Sequence, residues 1–251
     1  MNKLLNMANY FNKIEEKEKA YGVFSYDKNI EKILSNFQDF PHSILISFIV
    51  DDETDSGMAE ETPLLIKNAL GNLKIDEMSK LQLSDLVKLF VENKITNEPE
   101  KNANLIFEML SEINSKYNGK ANNIWNDTPS SQELKKRLLE FKGINARKAN
   151  LLALVIVNKF KVKLSEYASI NISNDKNVRR AMLEMKLIDE DSSYEDMKKI
   201  CSILNANYPG VFDSFFWSIG EYFFNSKPNF KFGITDEDFI NSCLMISLKY
   251  I

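Results

Sequence analysis

Leu138-Leu139-Glu140-Phe141-Lys142-Gly143-Ile144-Asn145-Ala146-Arg147-Lys148-Ala149-Asn150 closes one apolar run and opens another. A helix that stops before Gly143 and a second that starts at Ala146 satisfy both runs, because glycine adopts the conformation that ends a helix. The spacing predicts helices over residues 131–141 and 146–160, joined by a tight turn at Lys142-Gly143-Ile144-Asn145. Free N–H groups of such a turn, and of the first residues of the next helix, can point at a phosphate with the help of the helix dipole. Arg147 and Lys148 add charge-assisted contacts.

Working outward, helix follows short loop follows helix. Helices are expected over 3–20, 28–38, 61–70 (ending at Gly71), 84–94 (Ser84 as cap), 100–117, 177–185, 194–205, 211–224 and 235–249. The nearly all-apolar stretch His42 to Val50 fits a strand or a buried helix by length; the helical surroundings select the helix. Residues 165–174 are polar and read as a loop between two lobes.

The chain has 251 residues, 44% hydrophobic and 27% charged, which is a folded globular balance rather than a disordered one. Eight Gly and six Pro give too few turn signals for a many-stranded β fold. Two cysteines, Cys201 and Cys243, exclude a disulfide framework, a four-thiolate zinc site and a self-contained iron–sulfur site. The single histidine, His42, excludes a multi-histidine metal site and reads as structural. No run approaches the ~18 apolar residues of a membrane span, and no signal-peptide core opens the chain. An intracellular protein, cytoplasmic or nucleoid-associated, is expected.

Net charge is −4, so a polyanion partner requires the basic residues to gather on one face. They do gather in sequence: residues 131–163 hold nine Lys or Arg against two Glu, or +7, which leaves −11 for the rest of the chain. A solvated helix surface is the rival reading of that strip.

A second stretch is Asn171-Ile172-Ser173-Asn174-Asp175-Lys176-Asn177-Val178-Arg179-Arg180-Ala181. An acid stands just ahead of a helix whose first turn holds Lys176, Arg179 and Arg180. Asp175 suits an N-cap. It equally suits a fixed anion that stabilises an oxocarbenium-like sugar, and the two roles are compatible.

Together these stretches resemble the helix-hairpin-helix Gly/Pro-Asp DNA glycosylase superfamily, whose members look like endonuclease III. The family turn L-P-G-[VI]-G-x-K-x-A is matched at Phe141, Gly143, Ile144 and Ala149. The family pattern D-x-H-V-x-R-V is matched at Asp175, Val178 and Arg180. The likeness spans roughly residues 41–228 and is densest at 121–188. It implies an all-α fold of two helical lobes with a DNA cleft between them. One lobe would comprise 41–164, with the helix-hairpin-helix at 134–160, and the other 1–40 plus 165–251 with the aspartate loop. It also implies base excision repair: a damaged or mispaired base in double-stranded DNA is flipped out and its N-glycosidic bond hydrolysed, by a monomer.

Departures refine this expectation. The second turn glycine is Asn145, which reaches the left-handed region at some cost. The Schiff-base lysine position holds Arg147, with Lys148 one residue on and so turned by about 100°. The motif His is Asn177, and the Pro before the acid is Asn174. The usual Gln upstream is Glu53, a candidate for the base pocket or for positioning water, set in the acidic run Asp51-Asp52-Glu53-Thr54-Asp55. The cluster cysteines are absent, so neither an iron–sulfur cluster nor a metal is expected. The expectation is therefore a monofunctional glycosylase with Asp175 as the catalytic carboxylate, stabilising the sugar cation first and positioning water second. Lys142, Gly143, Asn145, Arg147, Lys148, Lys176, Arg179 and Arg180 are the DNA-binding candidates. Lys148 keeps three readings: phosphate ligand, solvated side chain, or displaced nucleophile of a bifunctional glycosylase and lyase. A non-catalytic DNA-binding protein on a degenerate scaffold is the competing function, and a helical interaction protein that never meets DNA is the third.

Overall fold

A computed structural model of the chain describes residues 4–9, 27–50 and 56–224. Helices make up the regular structure, and no strand occurs among the described residues. The elements are α1 (Lys28–Leu34), α2 (Ser43–Val50), α3 (Ser56–Leu70), α4 (Ile75–Met78), α5 (Leu83–Glu92), α6 (Pro99–Tyr117), α7 (Ser131–Leu138), α8 (Ala146–Asn158), α9 (Lys176–Glu184), α10 (Tyr194–Leu204) and α11 (Asp213–Phe224). Single 3-10 turns lie at Ala121–Ile124 and Pro209–Phe212, and residues 4–9 are helical. Glu53, Cys243 and the expected terminal helix 235–249 lie outside the described residues.

The chain divides into two compact units. One holds residues 23–129 and 133–152, and the other holds 1–22, 130–132 and 153–251. In the first, the segment that length alone left between strand and helix is α2. All its residues except Phe48 are buried, as in a helix that is apolar all round. Ile44, Leu45, Ile46 and Ile49 join Ile66, Phe90, Ile106, Ile113, Leu138 and Phe141 in the interior. Trp125 stacks on Phe37 with ring centroids 5.0 Å apart. His42 enters α2 as a structural residue. Its Nε2–H donates to the Leu73 carbonyl at 2.7 Å, and burial lowers its pKa from 6.5 to about 4.

The helix ends show which local rules win. Asp27 caps α1 by accepting from Asn29 N–H at 2.7 Å and Ile30 N–H at 3.2 Å. The cap expected at Ser84 is instead set earlier: the Asp85 carboxylate reaches back to the Gln82 N–H at 3.0 Å, so the helix begins at Leu83. Helix α6 starts on Pro99 and stops at Asn118, which is left-handed at φ 53°, followed by Gly119 at φ 70°. Helix α7 ends at Leu138, three residues earlier than the periodicity suggests.

The second unit is built on a core of Val178, Ala181 and Met182 from α9, Met197 and Cys201 from α10, and Phe212, Phe215, Phe216 and Ile219 around α11. Two helices of this unit meet backbone to backbone: a Cβ placed on Gly220 of α11 would lie 1.8 Å from the Asn177 carbonyl oxygen of α9. Only glycine permits that crossing. The segment 165–174 is tied down rather than loose. Glu166 accepts from the Ser131 N–H at 2.8 Å and from its hydroxyl at 2.7 Å, so a distant acid caps the start of α7.

Two outcomes are expected. Gly220→Ala forces α9 and α11 apart and destabilises the fold by about 3 kcal/mol, read as a fall in denaturation midpoint. His42 stays neutral in the folded state down to about pH 4, whereas the unfolded chain takes up a proton below its 6.5. Its stabilising share is therefore complete above pH 6.5 and lost as pH falls through 4, on the order of 3 kcal/mol. The stability difference between wild type and His42→Gln, followed by denaturant titration from pH 8 to pH 4, shrinks over that window.

Candidate functional site

The hairpin turn belongs to the first unit. Phe141 anchors it: the ring is buried and stacks on Tyr117 with centroids 6.1 Å apart. Gly143 is left-handed at φ +86°, and a Cβ there would stand 3.1 Å from the Ile49 carbonyl at the end of α2. Glycine is thus favoured by the conformation, and a side chain there would also be a tight fit against α2. Ile144 is buried, and its N–H returns to the Phe141 carbonyl at 3.1 Å.

Asn145 is the N-cap of α8. Its side-chain oxygen accepts from the Lys148 N–H at 3.0 Å, and its carbonyl accepts from the Ala149 N–H at 2.8 Å. It does not enter the left-handed region. At the position where the resembling motif has a second glycine, this chain therefore has a capping amide, with no strained backbone. Lys148 points back into the turn. Its side chain is 1% exposed, and Nζ donates to the Gly143 carbonyl at 3.0 Å. The amine braces the turn from inside.

The outer face of the turn is different in character. Lys142, Asn145, Ala146 and Arg147 are exposed. Among the described residues, no group accepts from the backbone N–H of Gly143, Asn145, Ala146 or Arg147. Four unpaired donors therefore sit at the N-terminus of a 13-residue helix beside an exposed guanidinium. The basic strip is less uniform than its sequence. Lys142 is paired with Glu108. Arg137 holds Asp127 through two hydrogen bonds of 2.7 and 2.9 Å, an arrangement that raises the pKa of Arg137 and lowers that of Asp127. Lys136, Arg147 and Lys163 are exposed.

The aspartate loop belongs to the second unit. Asp175 is the N-cap of α9 and accepts from the Asn177 N–H at 2.7 Å. It is half-buried, and Lys176 beside it is exposed. Asn177, where the family pattern has His, is buried and receives Arg180 Nη1 on its side-chain oxygen at 3.1 Å. Arg179 donates to the Glu190 carbonyl at 2.7 Å. Arg179 and Arg180 thus order the helix and its neighbours, while Lys176 faces outward.

Three residues that the sequence did not single out hold this loop. The Tyr194 hydroxyl donates to the Ile172 carbonyl at 2.7 Å. The Ser173 N–H donates to Asp213 Oδ1 at 2.5 Å. Gly220 carries the Asn177 carbonyl against its backbone. Asp213 is 5% exposed. Burial foremost, and the nearby Asp175 charge, push its carboxyl up to about 6 against the pull of the Ser173 hydrogen bonds. Burial likewise raises Tyr194 to about 12, with Asp213 and Glu195 adding to the shift. The available signal was a lone acid inside the apolar run Val211 to Trp217, directly after Pro209-Gly210.

No described group of three His, Cys, Asp or Glu side chains gathers to hold a metal ion. Cys201 is buried, and burial raises its thiol pKa. No helix among the described residues is long and apolar enough to cross a membrane.

Lys148→Met keeps the buried stem and removes the ammonium, leaving the Gly143 carbonyl without that donor. It lowers stability by about 2 kcal/mol, measurable as a lower urea midpoint with an unchanged m value.

Comparison with family models, with curated proteins and with solved structures finds no match to this chain.

Proposed function

We propose that this protein is a monofunctional DNA glycosylase of base excision repair. The observation that carries the reading is the outer face of the turn: four backbone N–H groups unpaired among the described residues, and Arg147, on a turn braced from within by Lys148 and seated by Gly143. Preformed N–H donors at a helix start bind a phosphate oxygen without reading sequence. That suits an enzyme which must find a lesion in any context. The exposed Lys136, in the same unit, adds to the non-specific attraction.

Asp175 supplies the chemistry in this reading. When the target nucleotide is flipped out, the C1′–N bond breaks with its electron pair leaving on the base, which takes up a proton. Positive charge develops on C1′ and the ring oxygen. A carboxylate held by a helix N–H stabilises that charge without reorganising. Water then adds its hydroxyl at C1′ and releases a proton.

The placement of Lys148 supports hydrolysis over lyase chemistry. A Schiff base needs an amine that reaches the sugar carbon, and this one is enclosed and bonded to Gly143. The two helical units, the expected DNA cleft, the monomeric state and duplex DNA as partner all enter as parts of this proposal.

Duplexes carrying a panel of damaged and mispaired bases provide the test. The wild type releases at least one base, and Asp175→Asn reduces release by about 10²-fold or more while duplex binding persists. Borohydride added to an abasic duplex traps no covalent adduct. Binding without release from any lesion points instead to the non-catalytic DNA-binding reading. No salt-dependent binding, and no effect of replacing Arg147, removes DNA from the account.

A further inference from the structure

We propose that Asp213 is the positioning residue of the Asp175 loop: its enclosed carboxylate grips the Ser173 backbone and so fixes where the Asp175 carboxylate stands. The catalytic consequence rests on the glycosylase reading above. The geometry does not.

A carboxylate that is only 5% exposed needs compensation for its lost hydration. Asp213 stands at the start of α11 and takes the Ser173 N–H, 40 residues away in sequence, at 2.5 Å. The Ser173 hydroxyl also favours the charged form of this carboxylate. The acid is thus buried in the service of another segment. Neighbouring contacts act on the same few residues. The Ile170 carbonyl accepts from the Gly210 N–H at 3.0 Å, Tyr194 holds Ile172, and Gly220 seats Asn177. Ser173 lies between the anchors at Ile170 and Ile172 and Asp175, and Asp213 is what holds it. Ser173 stands two residues before Asp175, so releasing it leaves that carboxylate to the Asn177 N–H and permits a shift of about 1 Å. Misplacement on that scale costs about 10²-fold in rate.

The choice of Asp rather than Asn has a reason. A charged acceptor holds its donor about twice as strongly as a neutral one. The consequence is a pH dependence, because the grip weakens on protonation near pH 6. The titratable groups facing Asp213 are Asp175, Tyr194 and Cys201. Tyr194 and Cys201 are both raised by burial, so neither changes charge between pH 4 and pH 8.

The test uses the full chain in two arms: amide exchange at Ser173 followed by NMR, and single-turnover base release from a lesion the wild type processes. In Asp213→Ala the Ser173 amide exchanges at least ~10-fold faster, and base release falls by about 10²-fold with duplex affinity unchanged. In Asp213→Asn, which keeps an acceptor, release at pH 7.5 recovers most of that loss, and the acid limb near pH 6 disappears. Wild-type exchange at Ser173 together with wild-type release in Asp213→Ala overturns the proposal. If that variant does not fold, Asp213→Asn decides: an exchange rate and pH profile identical to wild type sink it. If the wild type releases no base from any lesion, the glycosylase reading fails, yet the exchange arm still separates the outcomes. Faster exchange upholds the positioning role, and unchanged exchange ends it.

Discussion

The contact on which the second unit turns is the one between Gly220 and the Asn177 carbonyl. With no side chain between them, α9 and α11 cross at backbone distance. That closeness lets the first residue of α11 reach the segment leading into α9. It also places Met182, Phe215 and Phe216 in one interior. A larger residue at 220 would alter more than a local fit. It would lift the helix that carries the acid from the loop that the acid holds. Packing density and loop geometry are therefore set by the same absent methyl group.

The hairpin follows a related logic with different means. Gly143 provides close approach to α2, and a buried lysine provides the internal donor. The family pattern places a second glycine where this chain has Asn145. Here the amide caps α8, so the turn exchanges backbone freedom for a side-chain hydrogen bond. Among the described residues the N–H groups of Gly143, Asn145, Ala146 and Arg147 remain unpaired, as the start of a helix leaves them. Stability and a capacity for anions thus come from opposite faces of one short segment.

Much of this was legible in the sequence, and the failures have definite causes. Apolar periodicity and the glycine at 143 located the turn between α7 and α8, and the position of Asp175 ahead of an amphipathic run located its cap. Helical surroundings settled α2, whose pattern alone fits two periods. The cap at Asp85 escaped notice because its carboxylate acts backwards along the chain, three residues toward the N-terminus, while Ser84 offered a more familiar signal. Lys148 carries three readings from the sequence, phosphate ligand, solvated side chain or displaced nucleophile, because charge is scored by residue type. Only the fold reveals that its stem is enclosed. Asp213 was invisible for the complementary reason: its partner lies 40 residues away, and no local rule links an acid in an aromatic run to a loop elsewhere.

His42 and Asp213 lie in different units and respond to acid in opposite senses. The histidine is held neutral and the carboxyl is held reluctant to ionise, each by enclosure. Acidification from neutrality toward pH 4 erodes the first unit as its imidazole is drawn toward protonation. Over the same range it relieves the second, whose carboxyl gains a proton and sheds a desolvated charge. Mild acid therefore shifts thermodynamic weight from one half of the chain to the other. The half that melts first at pH 5 need not be the half that melts first at pH 8.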